Sequence, residues 1–124
     1  MSQSHAPLGD PNHAIDLALF GALGDLAMRK LFPALYHLDR EGLMPESTRI
    51  MGLARQEHDT AAFRQLVKGA LQKRLKKEEQ DKASLERFLN RLEYLKLDFA
   101  TAEGYDAIRQ WREGSKRPMV VYLS

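Results

Sequence analysis

The chain contains no cysteine, so a disulfide scaffold of the kind that staples small secreted domains is excluded. It has no run approaching the roughly 18 apolar residues of a membrane-spanning helix, and Met1 to Ala14 lacks the apolar core of a signal peptide. Charge of one sign is also scarce. Lys and Arg number 19 against 17 Asp and Glu, and a net charge of +2 gives no argument for nucleic acid or an anionic membrane as partner. Aromatic residues make up 8%, with a single Trp, and show no stacking pattern suited to single-stranded nucleic acid. His5, His13, His37 and His58 are scattered without ligand spacing, so neither a metal site nor a nucleophile–base pair is visible. What these absences leave is a cytoplasmic globular domain. Its 124 residues, 44% hydrophobic and 29% charged, are enough to bury one core.

The chain is organised as alternating apolar runs and amphipathic stretches. Residues 1–14 are polar and turn-rich, with Pro7, Gly9, Asp10 and Pro11, and read as a flexible N-terminal tail. Ile15 to Phe20 is apolar without alternation, which predicts a buried strand. A helix is expected from Asp25 to Arg40, with Leu31, Leu35 and Leu38 on one stripe and Gly42 just past its end. Pro33 lies inside it and cannot donate to the carbonyl of Arg29, so the helix should bend around Arg29 and Lys30. A second strand fits Arg49 to Ala54, and Asp59 can cap a helix carrying Phe63, Leu66, Val67, Ala70 and Leu71. Lys73 to Glu79 reads as an exposed helix end. A short helix should follow with Leu85, Phe88, Leu89 and Leu92, then a third strand from Tyr94 to Leu97. Thr101 opens a segment with Tyr105, Ile108 and Trp111 on one side, and Met119 to Leu123 is a fourth strand. This alternation predicts right-handed crossovers and neighbouring parallel strands. The fold class is α/β, a Rossmann-like doubly wound domain over residues 15–124 with a mainly parallel sheet. No helical sequence follows the fourth strand to cover the sheet, which suggests the front of a longer protein, truncated there.

The chemistry concentrates where the first strand meets the first helix. Gly21 and Gly24 sit three apart between an apolar run and an amphipathic segment, the layout of a tight turn whose helix amides point at an anion. Gly21 would supply the turn or a close backbone approach, and Gly24 close helix packing. Asp25 has two readings: it satisfies orphan amides of the turn, or it contacts a cofactor. At the end of the second strand an NAD site often carries an acid for the ribose hydroxyls, whereas here Arg55 and Gln56 follow Ala54. Arginine offers a rigid donor fork for phosphate, so the residue type favours NADP. On spacing alone, 34 residues after Gly21 rather than about 20, Arg55 is equally an exposed loop arginine. Lys30 could orient a phosphorylated substrate or be simply solvated.

The run Phe20-Gly-Ala-Leu-Gly-Asp-Leu-Ala-Met-Arg-Lys-Leu-Phe-Pro-Ala-Leu-Tyr36 closely resembles the amino-terminal signature of the glucose-6-phosphate 1-dehydrogenases of bacterial type. Ile50 to Gln56 resembles their second-strand signature, and Val121 to Ser124 the start of their next one, so the likeness runs from about Ile15 to Ser124. It implies an oxidoreductase of the pentose phosphate pathway that oxidises C1 of glucose 6-phosphate to the lactone and passes hydride to NADP. It further implies that Gly21, Ala22, Leu23, Gly24, Asp25 and Leu26 form the coenzyme turn, with Arg55 and Gln56 at its adenosine end. Lys30 would contact the sugar substrate, and Tyr122, Leu123 and Ser124 would line the cleft near the nicotinamide. Leu23 departs from the serine or threonine common at its position, which removes a hydroxyl but leaves backbone amides. The general-base histidine of the family belongs to a segment downstream of this chain, so no catalytic residue and no metal ligand is expected within it. The family's larger C-terminal domain supplies the interface of a homodimer or homotetramer. Two other readings compete: a non-catalytic nucleotide-binding α/β domain, or a different NADP-dependent Rossmann dehydrogenase.

Overall fold

The computed structural model describes residues 14–97 and 101–123, so Ser124 and nearly all of the expected tail lie outside the described residues. Four strands form one sheet: β1 (Asp16–Phe20), β2 (Arg49–Ala54), β3 (Leu92–Lys96) and β4 (Met119–Leu123). Their order is β3-β2-β1-β4 and every pairing is parallel, with Leu19 opposite Gly52 on one side and Tyr122 on the other. The crossovers carry α1 (Phe32–Arg40), α2 (Thr60–Arg74), α3 (Lys82–Asn90) and α4 (Ala102–Trp111).

Helices cover both faces of the sheet over β1, β2 and β3 and leave all five residues of β4 exposed, and the alternation of side chains along β1 assigns the helices to faces. Leu17 and Leu19 pack with Ile50, Phe63, Val67, Leu71, Phe88 and Leu92 beneath α1, α2 and α3. Ala18 points the other way and joins Met51, Leu53, Leu97 and Ile108 beneath α4. On the first face, edge-on ring pairs link the helices at centroid distances of 5.8 Å for Phe32–Phe63 and 5.7 Å for Tyr36–Phe88. Such pairs add about 0.5–1.5 kcal/mol each beyond the area they bury.

The bend expected near Pro33 takes the form of a wide turn. Residues Ala27–Leu31 are π-helical, and the Phe32 N–H donates to the carbonyl of Ala27, five residues back. Pro33 then sits in the first turn of α1, directly after the π turn. The extra residue also rotates the buried stripe. Phe32, Tyr36 and Asp39 face the core, Leu31 and Leu35 only flank it, and Leu38, expected on the stripe, is exposed.

Other expectations need similar correction. Leu92 belongs to β3, not to the preceding helix, because the Arg91 side chain ends α3 by donating to the carbonyls of Pro45, Glu46 and Thr48 at 2.8–3.0 Å. Leu97 lies just past β3, its N–H bonded to the carbonyl of Ala54 at 2.9 Å. Leu66 and Tyr105 are exposed, each lying off the buried stripe of its helix. Residues 73–79 are not one helix end. α2 stops at Arg74, Leu75 is buried, and Lys77–Glu79 make a separate 3₁₀ turn. The Asp59 cap forms as expected, accepting from the Ala62 N–H at 2.7 Å.

Two buried carboxylates anchor connections far apart in sequence. Asp16 accepts from Arg49, Arg117 and Ser115 at 2.7–3.0 Å, which ties the α4–β4 connection to the start of β1. Asp39 accepts from Arg91 at 2.9 Å and joins α1 to the end of α3.

Candidate functional site

All four strands converge on one cleft at their carboxyl ends. It has a volume of about 430 Å³, and Phe20, Ala54, Leu97 and Leu123 bring the ends of β1, β2, β3 and β4 to its wall. Successive strands step outward from β1 to β3, and the chain then returns to place β4 on the other side of β1. This reversal leaves the connections on opposite sides and opens a crevice at the carboxyl edge, where open α/β sheets bind their ligands.

The glycine turn is welded to β2. The N–H groups of Gly21 and Ala22 both donate to the carbonyl of Leu53, at 2.9 and 3.2 Å, and that of Gly24 donates to Gly21 at 2.9 Å. Gly21 has φ of 75°, a conformation that favours glycine, and a Cβ on Gly24 would lie 3.2 Å from the Gly21 carbonyl oxygen, a tight contact that glycine avoids. The amides of Leu23, Asp25 and Leu26 have no acceptor among the described residues, and together they suit a bound anion. Ala22 plays a different part, since its side chain is fully buried. Asp25 makes no cap to the helix; its carboxylate accepts from Arg29 at 2.8 Å on the surface. That pairing offsets the negative charge that would otherwise compete with an anion at the turn.

Across the cleft, Arg55 and Gln56 stand at the end of β2. Arg55 is exposed and makes no hydrogen bond or ion pair among the described residues, so its donor fork is uncommitted. The following turn is held from β3. The Tyr94 hydroxyl donates to the Gln56 carbonyl at 2.6 Å, and Lys96 Nζ pairs with Glu57 at 3.1 Å. Burial, and after it the negative charge of Glu57, pushes the Tyr94 hydroxyl pKa upward, which keeps it a donor.

Two residues important to this geometry carry only a faint signal in the sequence. Gly52 lies inside the apolar run of β2, yet a Cβ there would lie 2.5 Å from Cζ of Phe63 and 3.0 Å from Cβ of Ala22. A glycine inside an apolar strand is the available signal, because it marks close approach of a neighbour. Tyr94 fits the strand pattern alone, and its signal is that a buried tyrosine hydroxyl needs a partner.

The other expected site residues are dispersed. Leu23 and Leu123 line the cleft, whereas Tyr122 is exposed on β4 and lies outside the lining. Lys30 is exposed on the π turn, outside the cleft lining and without a partner among the described residues. His37 packs beside Tyr36 and His58 beside Tyr94, each at 5.9 Å between ring centroids, and no described histidine lines the cleft. Among the described residues no cluster of His, Asp or Glu is arranged to hold a metal ion, and no helix is long and apolar enough to cross a membrane.

The family model described as "Glucose-6-phosphate dehydrogenase, NAD binding domain" matches residues 18–124. The chain belongs to the glucose-6-phosphate dehydrogenase family. It is 38% identical to glucose-6-phosphate 1-dehydrogenase of Rhizobium meliloti (strain 1021) over 115 residues, 92% of this chain and 23% of that protein. With the enzyme of Dickeya dadantii (strain 3937) the identity is 39% over 111 residues, 90% of this chain and 22% of that one. Among solved structures, glucose-6-phosphate dehydrogenase in complex with its substrate glucose-6-phosphate aligns with a TM-score of 0.77 and 31% identity, covering 97% of this chain and 25% of that one. The chain thus spans about a quarter of the length of its glucose-6-phosphate dehydrogenase relatives. The glycine turn and the Arg55–Gln56 turn both fall within the matched NAD-binding domain, and the fold is the Rossmann-like α/β fold of these enzymes.

Proposed function

We propose that this chain is the coenzyme-binding part of an NADP-dependent dehydrogenase that oxidises glucose 6-phosphate at C1 to the lactone. The observation that carries NADP over NAD is Arg55, an uncommitted guanidinium on the cleft wall where an NAD site would place an acid. The residues present fit the coenzyme: Gly21 and Gly24 permit close approach, and the Leu23, Asp25 and Leu26 amides suit the pyrophosphate. Arg55 holds the 2'-phosphate, Gln56 flanks it, and Leu123, at the end of β4, lines the nicotinamide side. When bound, the coenzyme accepts the hydride that leaves C1 of the sugar. Lys30, a cation at the start of the same helix, holds the substrate. The proton released from the C1 hydroxyl goes to a histidine outside these residues, as the family resemblance implies, and the whole protein works in the cytoplasm as a dimer or tetramer through a further domain.

Titrating NADP and NAD into the unsubstituted chain and into Arg55→Ala tests this reading. A charge-assisted contact to the 2'-phosphate is worth about 1.5–3 kcal/mol, so NADP should weaken roughly ten- to a hundredfold and NAD by much less. Equal losses for the two coenzymes would remove Arg55 from this role.

A further inference from the structure

Arg55 is exposed, has no partner among the described residues, and projects from the first residues after β2. A donor fork recognises phosphate only if its backbone is held, because ordering a loose turn and a long side chain together would consume much of the contact energy. The hold comes from β3. Leu97 N–H donates to Ala54 O at 2.9 Å on one side of Arg55, and Tyr94 OH donates to Gln56 O at 2.6 Å on the other. Tyr94 is itself fixed: its N–H donates to Thr60 Oγ1 at 3.1 Å, and its ring lies 5.1 Å from that of Phe63. Phe63 is in turn the ring that Gly52 makes room for, so the path from the core of β2 to the rim of the cleft is continuous.

We infer that Tyr94 is a positioning residue for coenzyme selectivity, acting through the Gln56 carbonyl to present Arg55 to the 2'-phosphate. The inference rests on the proposed role of Arg55. Tyr94 does not touch the coenzyme; its hydroxyl restricts the turn that carries the residue that does. Tyr94→Phe keeps the ring and its packing and removes only the hydroxyl. The Gln56 carbonyl, on an exposed residue, then turns to water, so the fold survives while the turn loosens.

The test uses the two adenosine half-coenzymes as probes, 2',5'-ADP with the discriminating phosphate and 5'-AMP without it, titrated into the full chain and followed by NMR shifts, which read affinities into the millimolar range. Four forms are compared: unsubstituted, Tyr94→Phe, Arg55→Ala and the double variant. Tyr94→Phe should weaken 2',5'-ADP about three- to tenfold, the equivalent of one lost hydrogen bond, and leave 5'-AMP within about twofold. In the Arg55→Ala background it should add nothing, since its effect passes through Arg55. Backbone 15N order parameters should fall at Arg55, Gln56 and Glu57 and stay unchanged along β1. Equal weakening of both probes, full additivity in the double variant, or unchanged order parameters at the turn would overturn the inference. A selective loss in Arg55→Ala with an unaffected Tyr94→Phe would overturn the Tyr94 role alone. Loss of selectivity by neither variant would overturn both readings.

Discussion

Arg49 grips Asp16 as a fork, its Nε and Nη2 donating to the two carboxylate oxygens at 3.0 and 2.8 Å, while its guanidinium carbon lies 4.6 Å from the centre of the Trp111 ring. Asp16 has no exposed surface, and Arg117 and Ser115 share the same oxygens. Asp16→Asn removes the charge that three neighbouring arginines, Arg49, Arg112 and Arg117, are arranged around. Leaving such a cluster uncompensated should destabilise the fold by about 3 kcal/mol, read as a lowered urea midpoint with an unchanged slope.

Acid should reach the same site. Burial raises the Asp16 pKa, but the hydrogen bonds from Arg49, Arg117 and Ser115 together outweigh it and hold the carboxyl well below the ordinary carboxylate range. Asp81, which caps α3, is lowered to about 2 by its hydrogen bonds with Ser84 and Arg40. A carboxylate lowered on folding stabilises above its unfolded pKa, near 3.8, and loses that contribution as pH falls through the folded value. Urea midpoints should therefore be insensitive to these two groups at neutral pH and fall from about pH 4 downward, with the Asp16 contribution the last to be lost. Asp16→Asn should flatten the lower part of that decline.

Gly52→Ala should couple stability to coenzyme binding. The added Cβ must displace Phe63 and press on Ala22, whose own N–H helps fix the glycine turn. Overpacking of this kind costs about 1–3 kcal/mol. The variant should melt earlier and bind NADP and NAD equally less well, unlike Arg55→Ala, whose loss is selective.

These 124 residues alone should not sustain dehydrogenase turnover. Hydride transfer needs the sugar held against the nicotinamide and a base for the C1 hydroxyl proton, and no described histidine lines the cleft. Following NADPH absorbance with purified chain, glucose 6-phosphate and NADP should give no steady rate. A rate that survives repurification and disappears in Lys30→Ala would show a working site.

Strand positions were legible because buried parallel strands are short apolar runs, and three of the four were placed to within a residue. The glycine turn and the Arg55–Gln56 turn were equally legible, since their residue types answer to local backbone and charge demands, and the structure brings them to one cleft. Helix faces were read less well. Leu38 looked like core because a uniform helical period was assumed across residues 25–40, and the π turn breaks that period. Leu92 looked helical because nothing local shows that the Arg91 side chain is spent on carbonyls of a loop more than 40 residues earlier. The Tyr94–Gln56 and Asp16–Arg117 contacts were illegible for the same reason, being 38 and 101 residues apart in sequence.

The π turn also uncouples two properties that a regular helix would bind together. Ala27 and Phe32 are both buried although five residues separate them, an interval that puts side chains about 140° apart on an α-helix. The wide turn absorbs one surplus residue between two anchors, the glycine turn on one side and the Tyr36–Phe88 contact on the other. Removing Arg29 would restore a four-residue interval between Ala27 and Phe32, give up the Arg29–Asp25 ion pair and change the direction in which Lys30 projects. The aim of that lysine is therefore an adjustable trait, open to change by one codon without rebuilding the domain that carries it.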